Sequence, residues 1–436
     1  MQRNALQNLM AWKDKPGRKP LVIQGARQVG KTWLMMEFGR RAFGNTVYLN
    51  FDSNRRVHEI FQPDLDTTRI ITSIELEFHT KIDAETTLII FDEIQECNRA
   101  LVSLKYFCEN APQYHITAAG SFLGVAMHPG SSFPVGKVNL LTLYPLSFTE
   151  FLVAIGEESY TKALASRDFP LIAGLAGKMI GFLKKYFFIG GMPEAVLSYA
   201  SREDYDAVRE IQLVIAANYN ADFSKHINPS DIPKARLIWE SVPVQLAREN
   251  KKFLYKDVKS GARAREYENA LNWLVNSGLV YQVYRANFPG LPLASYRERD
   301  HFKLYMLDLG LLSAKSGLDI RTLLGSDTSL FTHFKGALAE QYVFQELKAL
   351  DNEMPLYYWA NAKNTSEIDF LIQMRDQVIP IEVKSGFNLK AKSLKAFIES
   401  FDPPAAIRSS LALFKRTGNL FEIPLYLIGQ CADIIA

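Results

Sequence analysis

Residues Gly25 to Thr32 read GARQVGKT, two glycines five positions apart followed by a lysine and a hydroxyl residue. Backbone amides freed of side chains at Gly25 and Gly30 can close on phosphate oxygens. Lys31 brings charge to the β- and γ-phosphates, and Thr32 offers its hydroxyl to a magnesium ion. The run Gly25, Ala26, Arg27, Gln28, Val29, Gly30, Lys31 and Thr32 therefore reads as a nucleotide cradle, with ATP and Mg2+ as the expected cofactors. Its context agrees, because apolar LVIQ precedes it and helix-forming TWLMMEFG follows.

A second run, LIIFDE, ends an apolar strand on two acids. Asp92 is placed to hold magnesium and Glu93 to polarise an attacking water, so the pair points to hydrolysis rather than storage of the nucleotide. After the next strand, ITAAGS puts Ser121 where a hydroxyl would sense the γ-phosphate, although a serine at a strand end equally caps a helix. A cation that neutralises the transition state comes from Lys137 or from an arginine of a neighbouring subunit.

The far end holds a different pattern, SEIDFLIQMRDQVIPIEVKSG, Ser366 to Gly386. A two-residue turn at Arg375–Asp376 sets Met374 opposite Gln377, Asp369 opposite Glu382 and Glu367 opposite Lys384. Strand alternation then puts those four charges on one face and Ile368, Phe370, Ile372, Ile379, Ile381 and Val383 on the other. Such a face does chemistry, or is simply a half-exposed ladder of ion pairs.

These motifs must be positioned by two kinds of architecture. LVIQG, TVYLNFD, TLIIFDE, YHITAAGS and KVNLLTL alternate with helix-like stretches, which predicts a mostly parallel sheet covered by helices. Helical periodicity dominates from Phe148 to Ala200, broken by GGMPEAV. Helix-like segments after Pro233 lead into SGLVYQVYR, a helix, glycine turn and strand order expected of a winged helix, and GALAEQYVFQELKAL is a helix leading to the hairpin.

RKPLVIQGARQVGKT, FDEIQ, LYPLSFTEFL and GGMPEAV together resemble the AAA-like ATPases of archaeal and bacterial genomes that carry a C-terminal domain of unknown function. The resemblance implies an α/β P-loop NTPase with a five-stranded parallel core, a winged-helix region and a C-terminal α/β domain. Its Gly191–Met192–Pro193 turn is similar to one that approaches the nucleotide, which makes Pro193 a candidate contact. Relatives often have arginine where this chain has Lys137. The D–x12–E–x–K pattern resembles the PD-(D/E)XK nucleases, which implies Asp369 and Glu382 as metal ligands, Lys384 as activator of water and Glu340 as the first-helix glutamate. Ile368 stands where that family's proline would be.

The 436 residues exceed one compact core, and the reading divides them into 1–150 (P-loop core), 151–230 (helical extension), 231–300 (winged-helix region) and 301–436 (nuclease-like domain). A composition of 48% hydrophobic and 22% charged residues excludes wholesale disorder. A net charge of +3 identifies no polyanion partner, leaving open DNA or RNA and further copies of the chain. Cys97, Cys108 and Cys431 lack metal-like spacing and read as core thiols. The most apolar segment is interrupted by Lys178, Lys184 and Lys185, so no membrane span is expected and the cytoplasm is the default location. Two functions follow: an ATPase coupled to a tail that binds or cuts nucleic acid, or a nucleotide switch whose tail is an inactive binding or assembly module.

Overall fold

The computed structural model describes residues 2–120, 133–248, 251–325, 332–351, 354–361, 363, 365–387 and 392–435. The chain divides into two compact units, Met1–Tyr144 with Asn276–Gly278, and Pro145–Val275 with Leu279–Ala436.

In the first unit the alternating apolar runs become β1 (Leu21–Gln24), β2 (Asn45–Asn50), β3 (Thr87–Asp92), β4 (His115–Gly120) and β5 (Asn139–Thr142). They form one sheet in the order β2-β3-β4-β1-β5, and every neighbouring pair is parallel. β3 and β4 are buried at every position; β3 accordingly runs from Leu88 to Phe91 without a polar residue, whereas β4 buries His115 and Thr117 among apolar neighbours. Phe51, Phe61, Phe91 and Phe107 meet edge to face in the layer beside β3, burying ring surface where loops would otherwise leave gaps. β4 lies between β1 and β3, so the phosphate loop after β1 and the acids after β3 leave the same edge of the sheet two strands apart.

The second unit begins with helices and ends in a sheet. Its strands are β6 (Val280–Ala286), β7 (Arg297–Met306), β8 (Leu356–Ala360), β9 (Glu367–Met374), β10 (Gln377–Val383), β11 (Ala406–Ser410), β12 (Lys415–Thr417) and β13 (Leu420–Pro424). Their order is β12-β13-β11-β10-β9-β8-β6-β7. β6, read from the sequence as the strand of a separate winged helix, pairs antiparallel with β7 and parallel with β8. The same sheet thus runs across the expected boundary at residue 300.

β9 and β10 form the expected hairpin, with Met374 opposite Gln377 and Phe370 opposite Ile381. Arg375 takes a left-handed φ of 54° at the first position of the turn. The strict alternation fails, however. The register of β8 against β9 shifts between Tyr357 and Trp359, so that two residues of β9 answer one of β8 near Asp369 and Phe370. Ile368 and Leu371 consequently join one apolar cluster with Leu394 and Phe397, whereas Phe370 packs against Tyr305. The expected sharing of one face by Ile368 and Phe370 is therefore corrected.

The SFTE and GGMP motifs have a structural role within this unit. Ser147 and Glu150 close a capping box at the start of the Phe148–Ala154 helix. The Phe148 amide donates to Glu346 Oε1 at 2.8 Å, and the Leu146 amide donates to the Gly191 carbonyl at 2.7 Å. A Cβ on Gly191 would stand 2.2 Å from the Leu146 carbonyl oxygen, so only glycine allows the two backbones this approach. The Gly191 amide in turn donates to buried Asp308 at 2.6 Å.

Glu346 is buried on the Thr332–Leu350 helix, and burial with the nearby Glu150 pushes its carboxyl up to about 8 against the single amide of Phe148. The folded chain then keeps a proton that the unfolded chain releases, from the ordinary value of 4.5 up to about 8. Stability should fall as pH rises through that window, measured as the urea midpoint at successive pH values. Glu346→Gln should flatten that part of the slope.

Candidate functional site

In the first unit the GARQVGKT loop wraps back on itself. Gly30 has φ +94° and Gln28 φ +65°, and a Cβ on Gly25 would meet the Leu143 carbonyl oxygen at 2.4 Å. Those left-handed residues turn the chain into the Lys31–Ala42 helix with its amide end facing the loop. Ala26 and Val29 are buried and anchor the loop, while Arg27 and Gln28 lie toward solvent. The Val29 carbonyl accepts a 2.9 Å bond from buried Arg3, whose other nitrogen reaches the Tyr144 carbonyl at 2.6 Å.

Lys31 donates to the Gly25 and Ala26 carbonyls at 2.9 and 2.8 Å. Burial brings its ammonium down to about 8, against the pull of Glu93 and Asp92. Thr32 Oγ1 donates to Asp92 Oδ2 at 2.7 Å, which joins the loop to the end of β3. A hydroxyl and a carboxylate side by side are the hard oxygens that magnesium takes, so these residues fit the expected ion.

Glu93 follows with φ +51°, a left-handed residue between the end of β3 and the Ile94–Glu96 turn. Gln95 Nε2 donates to Glu93 Oε2 at 2.6 Å. Tyr48 donates to Asp92 Oδ2 at 2.7 Å and accepts from Asn50 at 3.0 Å. Arg3, Tyr48, Asn50 and Gln95 are contacts that motif reading misses; only Gln95, inside FDEIQ, carried a signal. Lys137 pairs with Glu109 at 2.8 Å. Ser121 lies outside the described residues, and Pro193 opens the Pro193–Arg202 helix of the second unit.

In the second unit Glu340, Asp369, Glu382 and Lys384 come together within one electrostatic cluster, although Glu340 and Lys384 are far apart in the chain. Asp369 Oδ2 accepts the Val383 amide at 2.8 Å, where the bulge has ended the regular ladder. Lys384 Nζ lies 2.6 Å from Glu382 Oε1. Three further residues complete the cluster: Lys303 on β7 is 2.5 Å from Glu367 Oε1 and 3.8 Å from Glu340 Oε2, Lys251 pairs with Glu340 Oε1, and Tyr305 donates to Glu340 Oε2 at 3.4 Å.

Three lysines thus face four carboxylates, Glu340, Glu367, Asp369 and Glu382. Asp369 is the acid left over. Burial and the neighbouring Glu340 and Glu382 push its carboxyl well above the usual range. Burial also raises Glu340, but Lys251 and Lys303 outweigh it and hold that group below its ordinary value.

Among the described residues no three His, Cys, Asp or Glu side chains are arranged to hold a metal ion. Glu382 Oε2 is nevertheless buried without a hydrogen-bond partner. An orphaned oxygen beside a surplus acid fits a divalent cation in chemistry, and the lysine on Glu340 stands against it in geometry.

Residues 17–152 match the AAA domain family, 181–322 a domain of unknown function (DUF8612) and 335–426 another (DUF4143). That match, the parallel strand order and the phosphate loop make the N-terminal region an AAA-like P-loop ATPase domain. Uncharacterized proteins of Mycobacterium tuberculosis (Rv2008c) and Mycobacterium bovis (Mb2031c) are each 33% identical over 102 residues. That is 23% of this chain and 22% of each relative's length. The Walker-type ATPase paby2304 of Pyrococcus abyssi aligns at 12% identity and a TM-score of 0.46, over 72% of this chain and 95% of that one. The Aeropyrum pernix ORC1 protein in complex with DNA aligns at 12% and 0.28, over 73% and 93%. Among the described residues no helix is long and apolar enough to cross a membrane.

Lys31→Ala should weaken ATP binding, whereas Glu93→Gln should retain binding and lose turnover. Gln95→Ala removes the Gln95 hydrogen bond to Glu93 and should raise turnover several-fold in a phosphate-release assay. A fall to the Glu93→Gln level would instead make Gln95 part of the catalytic arrangement.

Proposed function

We propose that this chain is a magnesium-dependent ATP hydrolase coupled to a nuclease-like C-terminal region that binds or cuts nucleic acid. In the first unit Lys31 would neutralise the β- and γ-phosphates, Thr32 and Asp92 would hold the magnesium, and Glu93, released from Gln95, would take the proton of the attacking water. A sensing role for Ser121 and an approach of Pro193 to the nucleotide belong to the same proposal.

The observation that carries the second activity is the convergence of Glu340, Asp369, Glu382 and Lys384 in one buried cluster. Asp369 and Glu382 would hold a divalent metal, with Glu340 beside them, and Lys384 would orient the water. The metal supplies charge stabilisation at the phosphate and a more acidic water. A winged-helix role for the β6–β7 region, a DNA or RNA partner, assembly with further copies and a cytoplasmic location are part of this reading.

The neutralisation of three acids by Lys251, Lys303 and Lys384 favours a second reading, a nucleotide switch whose tail binds without cutting. The two separate on supercoiled plasmid and single-stranded oligonucleotides incubated with millimolar Mg2+ or Mn2+. Nicking by the wild-type chain that disappears in Asp369→Asn and Lys384→Ala, with ATP turnover kept, supports cutting. No cleavage under any metal condition sinks it and leaves the switch.

A further inference from the structure

The cluster around Glu340 already contains a cation. Lys251 sits in an extended segment that the Phe253 amide ties to the Phe302 carbonyl at 2.8 Å, and the rings of Phe253 and Phe302 stack. Its side chain is 15% exposed while that of Glu340 is 6% exposed, so Lys251 is the less enclosed partner of the pair. Lys303 approaches from within: it is 1% exposed and divided between Glu367 and Glu340. Of the two lysines on Glu340, Lys251 is the more exposed.

Resting on the reading of Glu340, Asp369 and Glu382 as a divalent-cation site, we propose that Lys251 is the resident cation of that site, and that a metal ion enters only by displacing its ammonium from Glu340.

Three observations support the displacement. Glu340 Oε1 is engaged by Lys251 and Oε2 is approached by Tyr305 and Lys303, which leaves no oxygen of this residue open. Glu382 Oε2 is buried without a hydrogen-bond partner, so the remaining acids hold capacity that Lys251 does not satisfy. Finally, the partly exposed Lys251 can move into water with its charge solvated, whereas withdrawing Lys303 would strand a buried ammonium. Occupation by metal and occupation by lysine are alternatives at one carboxylate. Whatever moves the Lys251 segment therefore controls access of the metal.

The test measures Mn2+ binding by isothermal titration on the full chain without nucleotide, in an Asp92→Asn background that removes the magnesium ligand of the first unit. Lys251→Met should bind Mn2+ about tenfold more tightly than the parent, roughly the effect of no longer breaking a partly buried ion pair. Lys251→Arg keeps the charge and should bind no more tightly than the parent. In EDTA, Lys251→Met should melt at a lower temperature, and Mn2+ should restore much of that loss. Equal or weaker binding by Lys251→Met, with the parent still binding, overturns the displacement and leaves the cation site intact. No binding by any variant overturns both. Should Lys251→Met fail to fold, Lys251→Gln carries the same comparison.

Discussion

A helix that takes four polar side chains into a dry interior must find a partner for each, and the second unit is organised around that requirement. The Thr332–Leu350 helix buries Glu340, Gln341, Gln345 and Glu346. Gln341 accepts from the Met306 amide at 2.9 Å and donates to its carbonyl at 2.8 Å, acting as a strand partner at the end of β7. Gln345 accepts the Leu309 amide at 3.0 Å and donates to Tyr186 at 2.7 Å. Each unmatched group would cost about 1–3 kcal/mol, so the set fixes the helix in rotation and depth. Glu340 is carried into the acid cluster as a consequence, and Glu346 reaches the SFTE motif.

The first unit meets a similar demand with backbone. Its reactive groups leave one edge of a parallel sheet, where strand ends expose amides and carbonyls that need partners. Lys31 takes two loop carbonyls and Arg3 takes two more. Asp92 gathers Thr32 and Tyr48. The Arg3, Thr32 and Tyr48 bonds join segments distant in the chain, and with the local Lys31 bonds they hold the loop curled. A phosphate would replace the carbonyls as the partner of Lys31 without rebuilding the sheet.

The two units differ in how much of them was legible in the sequence. The phosphate loop and the acids at Asp92 and Glu93 could be read because a short motif fixes local geometry and its flanking apolar runs fix the strands. The hairpin register could be read as well, since a period of two leaves few ways to pair Met374 with Gln377. The bulge near Asp369 could not, because it arises from the fit of β9 to β8 and no glycine marks it. Lys251 and Lys303 also went unread: isolated lysines carry no spacing signal, and only the folded sheet brings them to Glu340. The pairing of β6 with β8 could not be read either, because it joins segments with no local relation in sequence.

The central proposal is that the acids of the second unit would hold a divalent cation once Lys251 leaves Glu340. Anomalous scattering from crystals of the full chain soaked in manganese tests it most directly. The account places a peak between Glu340, Asp369 and Glu382, with Lys251 turned away from Glu340. A structure at high manganese with no peak there and Lys251 still paired to Glu340 would contradict it.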